Sequence, residues 1–553
     1  MARFPSRSDC VLGDILAAGA AAMPDRVYAV FDDGEEWTFR ETAERCWAAA
    51  AGLQGLGLQR GEPLLAWLPN GREALTVWYG AALAGLVYTP LNTAWKGQML
   101  EEGVNLIGAR VIVCHAALVE RLLGLDLPRL EEIAIVGDGA PAVPPGLRVS
   151  RWADAGEGRS PAPPPVADPV EPWEDQMVMF TSGTTGASKA VRRPHVLYQK
   201  MAEATFDNVG VTADDRFLVC APMFHGGGDV PCYAALRTGA SIAIVSGFRT
   251  QDFWKDCRRH ACTVAWIHSA MALFLWQQPP SPGDRDHPLR LAMQAPLLPD
   301  MQAFAERFGV RLYTVYGMTE MPCVFSLLDP VDHRTLGRPW TAEYEVRLVD
   351  ENDVEVPIGV PGDMTVRHAV PWAVTPGYLY NPEATARVWR NGWFHSGDVL
   401  VKDERGEYRI VDRVKDSIRR RGENVSSAEV ERELLEHPAV REAAVIGVRA
   451  EIDQEVLATV VFDEPVDPEE LIAFLAERLP YFAVPRYLDF VDVIERNVAL
   501  RPDKNLLRER GVRPEAWDRE TAGIKLRREQ LTTGKSRNSR KELEENRDAR
   551  KLV

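Results

Sequence analysis

Between Arg26 and Cys114, short apolar runs with strand character (Val27–Phe31, Pro63–Leu68, Ala109–Cys114) alternate with helix-like stretches (Phe39–Leu53, Glu73–Leu86). Such alternation is what a sheet covered by helices requires, because each strand needs a neighbour and each helix must bury one stripe. It predicts an α/β fold. "SPAPPPVADPVEP" then places six prolines between Pro161 and Pro172, an exposed connector. The alternation resumes with strand-like pieces at Met177–Phe180, Phe217–Cys220, Ser241–Val245, Thr263–Ile267 and Arg311–Val315. Beyond Gly359 the texture shifts to short β runs and turns, a β-rich subdomain. A new unit begins near Asp412–Asp416. In it Ser426 and Glu429 have capping-box spacing, Val430, Leu434 and Leu435 share a helical face, and Pro438 follows the stop. "AAVIGV" and "EVLATVVF" read as strands and "PEELIAFLAERL" as a helix. The expected organisation is a large N-terminal domain of layered α/β sheets plus the β-rich subdomain over 1–412, a small α+β domain over 413–512, and a disordered or loosely helical tail over 513–553.

At 553 residues two or three domains are expected. The formal charge of −16 disfavours a nucleic-acid or anionic-membrane surface. The segment from Arg501 onward runs the other way, with 16 Lys/Arg against 10 Asp/Glu, and reads as a solvated tail. Eight cysteines occur with no Cys-x-x-Cys and no zinc-like spacing, so reduced thiols in a cytoplasmic protein are expected. Asp14 interrupts the only signal-like opening, and the longest uncharged apolar stretch, Ala74–Tyr88, is short of the roughly 20 residues that cross a bilayer. It reads as a buried helix.

The chemistry concentrates in a few places. The run Met177–Phe180 leads into "TSGTTGASK", where Gly183 and Gly186 let backbone N–H groups converge, Ser182, Thr184, Thr185 and Ser188 add donors, and Lys189 adds charge. That is a phosphate-holding composition, although Ala187 and Ser188 separate Gly186 from Lys189, unlike the usual P-loop. "YTVYGMTEM" brings Tyr316, Gly317, Thr319 and Glu320 to the end of a strand-like run, where a carboxylate can hold Mg²⁺ and a hydroxyl can meet phosphate. "NGWFHSGDV" exposes Asp398 after a turn, an acceptor suited to two ribose hydroxyls. "PMFHGGGD" sets His225 before Gly226, Gly227 and Gly228, and "IVDRVKD" supplies Arg413.

In this order the motifs resemble the superfamily of adenylate-forming enzymes: acyl-CoA synthetases, aryl-CoA ligases, luciferases and peptide-synthetase adenylation domains. The likeness runs from about Asp25 to Gly511, and "GENVSSAEVE" and "YLYNPEATARVWRNGWFHSGD" are closest in texture to crotonobetaine and medium-chain acid:CoA ligases. The resemblance implies ATP, Mg²⁺ and, as co-substrate, CoA. Thr181 to Lys189 would then be the mobile loop over the β- and γ-phosphates, Thr319 would touch the α-phosphate, Glu320 would ligate Mg²⁺ and Tyr316 would stack near adenine. Asp398 with Arg413 would hold the ribose. Lys415 would be the hinge of a mobile small domain, and Arg420 to Asn424, including Gly422 and Glu423, would face the thiol channel. His225 and Gly227 would shape the acid pocket. A soluble enzyme follows, with no nucleic-acid partner and possible homodimerisation.

Two departures stand out. Where the superfamily carries its adenylating lysine, "ERNVALRPDKNLLRERG" places Arg501, with Lys504 three residues on; Arg keeps the charge but is planar and forked. At "RLAMQAPLL", Met293 and Gln294 replace small residues and would partly fill the acid pocket, Gln294 offering an amide to a polar head; repacking of a wall is the plain alternative. Three activities are compatible with this pattern: ligation of a small or aryl acid to CoA, activation of a non-standard acid such as nitrite for transfer to an aryl amine, and nucleotide binding without catalysis. An ionised carboxylate needs no base before it attacks phosphorus, so the residue types above suffice for the first step.

Overall fold

A computed structural model describes residues 4–155, 168–181, 189–298, 300–413, 417–421, 423–451, 453–464, 466–495 and 502–526. The chain forms a large α/β domain of mixed sheets followed by a smaller α+β domain. Two large sheets carry the first. One has seven strands, ordered Arg148–Arg151, Glu132–Val136, Val111–His115, Pro63–Trp67, Val87–Pro90, Asp175–Thr181 and Lys189–Pro194, parallel until the last pair. The other has eight, with Val27–Phe31, Ser241–Ile244, Arg216–Val219, Val264–Trp266, Leu291–Met293 and Arg311–Met318 parallel and an antiparallel strand at each edge.

Helices Phe39–Gly55, Arg72–Leu83, His195–Thr205 and Gly226–Thr238 lie in the apolar layer shared by the two sheets, where Leu64, Met177, Tyr28, Phe217 and Ile242 join one cluster. Phe39–Gly55 starts where Thr38 and Glu41 cap each other reciprocally. The apolar stretch Ala74–Tyr88 divides into the Arg72–Leu83 helix and the start of the Val87–Pro90 strand, and no described helix is long and apolar enough to cross a membrane. All eight cysteines are buried and free.

The β-rich subdomain is a sheet ordered Thr335–Gly337, Tyr408–Arg413, Trp393–Lys402, Gly362–His368 and Tyr344–Val349, with Trp389–Arg390 added on Trp393–Lys402. The small domain opens with the hairpin Ser417–Arg420/Glu423–Ser426. Ser426 then caps the helix Ser427–Leu435 by accepting from Glu429 N. Val440–Arg449, Gln454–Phe462 and Tyr487–Phe490 form its sheet, flanked by helices Pro468–Arg478 and Lys504–Arg510. Its outer end corrects one expectation. Trp517–Asp518 pairs antiparallel with Tyr487–Phe490, and Arg519 is buried, donating to Pro485 O at 3.1 Å. Folded structure therefore continues past residue 512, because an edge strand of two residues leaves no periodicity to read; the remainder of the expected tail, 527–553, lies outside the described residues. The apolar cluster on the outer face of the seven-stranded sheet (Leu65, Trp67, Ile112) continues into Val430, Leu434 and Leu471 of the small domain, and Arg432 pairs with Glu102 across the boundary at 2.9 Å.

Candidate active site

Thr181 and Lys189 face each other at the ends of paired strands, so the loop between them closes a hairpin. Ser182, Gly183, Thr184, Thr185, Gly186 and Ser188 lie outside the described residues. Lys189 Nζ sits 5.0 Å from the ring centre of Tyr378, and the Tyr378 hydroxyl donates to Glu320 Oε1 at 2.9 Å. Burial and the Glu320 carboxylate hold the Tyr378 phenol well above its ordinary value, so it remains a donor. Glu320 lies at the turn between Arg311–Met318 and Met321–Leu328. On the same strand Tyr316 donates to Asp398 Oδ2 at 2.7 Å. Asp398 is 4% exposed and stands in register with Arg413, whose side chain is outside the described groups. Gly317 is required by packing: a Cβ there would fall 2.9 Å from Cys323 Cα on the returning strand. Glu320 offers one carboxylate with one oxygen already held, which fits Mg²⁺ only as a single ligand among phosphate oxygens and waters.

Two cavities adjoin here. One, of about 930 Å³, is lined by Tyr316, Gly317, Thr319, Trp266, Met293 and Ala295, among others; the second, of about 700 Å³, takes Thr181, His225, Gly227, Phe224 and the small domain's Arg420, Arg421, Glu423 and Lys525. Thr319, His268 and Arg419 belong to both. His225 Nε2 meets Glu423 Oε2 at 2.9 Å, a contact between the two domains. Gly227 lets His268 approach, since a Cβ would lie 2.6 Å from His268 Nε2. Desolvation, reinforced by Arg419 and His225, pushes the His268 imidazole down to about 4, so it is neutral at pH 7.

The structure thus brings Lys189 and Glu320 together through Tyr378, Tyr316 to Asp398, and His225 to Glu423. It does not bring in two expected groups. Gln294 lines neither cavity: next to Met293 in an extended chain it takes the other side of the sheet, fully buried, its Oε1 accepting from Leu298 N at 3.5 Å. Lys504 is held within the small domain by Ser427 Oγ at 2.8 Å and Glu431 Oε1 at 2.7 Å, and lines neither cavity. Arg501, Lys415 and Gly422 lie outside the described residues; Asn424 is seen only as backbone paired with Arg419. Tyr378, His268, Arg519 and Lys525 were missed by sequence reasoning. The first opens the stretch "YLYNPEATARVW", whose texture marked it; the other three carried no local signal.

The profile described as AMP-binding enzyme matches residues 16–379, and that of the AMP-binding enzyme C-terminal domain matches 429–499. The crotonobetaine/carnitine–CoA ligase of Citrobacter koseri is 31% identical over 456 residues, spanning 80% of this chain and 87% of that protein. Among solved structures, the amide bond synthetase McbA of Marinactinospora thermotolerans superposes with a TM-score of 0.76 at 25% identity, covering 90% of this chain and 99% of its own. The o-succinylbenzoate CoA synthetase MenE of Bacillus subtilis, a double mutant, gives 0.78 at 22% identity, covering 90% and 98%, and shares the fold.

Proposed function

Because the chain belongs to the AMP-binding enzyme family and is an ATP-dependent adenylate-forming enzyme, we propose that it activates a small or aryl carboxylic acid as its acyl-adenylate and transfers the acyl group to CoA. The observation that carries this reading is the pair of cavities meeting at Thr319 and His268, one walled by the large domain's strand ends and the other by the small domain's hairpin. The acid's carboxylate attacks the α-phosphorus of ATP and pyrophosphate leaves. Lys189, Thr181 and the loop between them bind the outer phosphates, Thr319 donates to the α-phosphate, and Asp398, fixed by Tyr316, accepts from the ribose hydroxyls. Glu320, oriented by Tyr378, would hold Mg²⁺, which supplies charge screening at the phosphates when bound.

In the second half the acceptor attacks the acyl carbonyl and AMP departs. His225, held by Glu423 at 2.9 Å, would take the proton of the incoming thiol. The arrangement with the hairpin facing the site and Lys504 turned into its own domain suits this half. Along the second cavity five cations, Arg419, Arg420, Arg421, Arg519 and Lys525, outnumber three carboxylates, Glu423, Glu429 and Glu520, a balance that favours an anionic co-substrate such as CoA.

The test is AMP and pyrophosphate release from Mg-ATP with short fatty and aryl acids, with nitrite, and with and without CoA, each product identified by mass. Acid-dependent AMP with a CoA thioester supports the ligase. AMP that appears with an amine acceptor, and no thioester, replaces CoA by an amine; dependence on nitrite with an aryl amine would move the activity to nitrogen–nitrogen bond formation.

A further inference from the structure

Arg193 lies on the strand Lys189–Pro194 with its side chain entirely withdrawn from solvent. One end of its guanidinium is satisfied: Nη1 donates to Asp229 Oδ2 at 2.9 Å and to the Tyr198 hydroxyl at 2.7 Å, and that hydroxyl donates in turn to Asp229. The other edge meets no oxygen. Nη2 lies 2.9 Å from Met201 Sδ, and Nε has no hydrogen-bond partner. A thioether is a weak acceptor, and an unsatisfied buried N–H of a charged group is costly. Nε and Nη2 are the two parallel donors with which a guanidinium grips a planar pair of oxygens. The side chain also forms part of the wall of the 930 Å³ cavity, beside Met179, Met201 and Val230, and Tyr316 and Thr319 line that same cavity.

We propose that the Nε–Nη2 edge of Arg193 anchors the distal end of the activated acid, so that the preferred substrate carries a planar two-oxygen acceptor, a second carboxylate or a nitro group, remote from the reacting carboxylate. This rests on the acid-activation reading above, with the 930 Å³ cavity, which Met293 and Tyr316 line, as the acid's site. Met201 covers the edge in the empty cavity. An unbranched thioether with several rotatable bonds moves aside readily, as an aromatic or β-branched residue would not. Burial raises the proton affinity of Asp229, so its charge opposes the approach of a further anion less than that of an exposed carboxylate would. A purely apolar tail would leave the edge as it stands in the empty cavity and gain nothing from it, whereas a two-oxygen head would satisfy both donors.

The experiment compares acids matched in shape and differing only at the far end: terephthalate and 4-nitrobenzoate against 4-isopropylbenzoate, and glutarate against 5-methylhexanoate. The readout is kcat/KM for acid-dependent AMP release. In the wild-type chain the two-oxygen members are expected to exceed their isopropyl counterparts by at least about tenfold. The double variant R193M/D229L removes both charges, leaving neither unpaired, and is expected to shrink the preference below about threefold. Isopropyl acids matching or exceeding their partners in the wild type overturn the proposal whether or not the variant folds, as does a preference that survives in a folded double variant. A separate result, no AMP from any acid in either series, removes the acid-activation reading itself and the anchor with it. Terephthalate and 4-nitrobenzoate distinguish an anionic from a neutral head.

Discussion

Replacing Glu423 by Gln should separate the two halves of the reaction. The variant keeps the side chain's size and one oxygen but removes the charge from the 2.9 Å contact with His225, the link between hairpin and large domain. Once His225 has taken up the thiol's proton the pair carries opposite unit charges, which at that distance interact by about 1.4 kcal/mol in water and about 6 kcal/mol at an effective dielectric of 20. The His225 side chain is 37% exposed and that of Glu423 14%, so water screens one side of the pair. Screening, together with the neutral hydrogen bond that survives, leaves an expected loss of about 1–2 kcal/mol. That is a factor of about 5–30 in a rate constant. Tyr316, Asp398, Tyr378 and Glu320 are held by contacts within the large domain, so the loss should fall on transfer alone. Pyrophosphate release in single turnover without acceptor would stay within about twofold of wild type, while transfer of preformed acyl-adenylate to CoA would fall by the factor above. Equal losses in both halves, or undiminished transfer, would refute the assignment.

Three other outcomes are expected. Tyr378→Phe removes the donor that orients Glu320 and should slow pyrophosphate release about 3–10-fold while shifting its Mg²⁺ dependence, with acyl transfer to CoA unaffected; an unchanged Mg²⁺ titration would count against it. Gly227→Ala would ordinarily stabilise a helix by up to about 1 kcal/mol, but with 2.6 Å to His268 Nε2 and 3.1 Å to Ala221 Cβ it should instead destabilise by about 1–3 kcal/mol in urea unfolding; a gain in stability would show that the helix start yields. His195 and His368 are buried neutral, their imidazoles pushed down by desolvation to about 3 and about 4. A depressed folded-state value means the unfolded chain binds the proton first, so this stability is full above the ordinary 6.5 and is withdrawn as pH falls towards 4, by a few kcal/mol in all. A melting temperature that holds constant from pH 6.5 to 4.5 would contradict this.

The strands and helices of the large domain were legible because their apolar spacing is long and regular: Val27–Phe31 and Ser241–Ile244 differ from the expected spans by at most a residue. The capping of the Ser427–Leu435 helix by Ser426 was equally local, and equally readable. What failed to show depends on distance. Arg193 and Asp229 are 36 positions apart and meet only because the sheet and the Gly226–Thr238 helix pack together, so although Asp229 closes "PMFHGGGD" nothing local joined the two. Gln294 was assigned to the pocket from its neighbours in the chain, yet alternation along an extended backbone sends adjacent side chains to opposite faces, and Met293 took the cavity. His268 gave no signal of its own; its place shows only in the structure, where the missing side chain of Gly227 makes room for the imidazole.

The two-residue strand Trp517–Asp518 has a consequence for anyone exchanging parts between relatives. It closes the edge of the small sheet, and the residues around it, Arg519, Glu520 and Lys525, reach the wall of the 700 Å³ cavity. A chimera whose junction cut the chain at residue 512 would strip that edge bare and remove three charged groups from the wall of that cavity. A graft carried through Leu526 would carry over the small domain's share of that wall, Arg419 to Arg421 and Glu423 with Arg519, Glu520 and Lys525, while Trp95, Phe180 and His225 stay behind in the recipient scaffold.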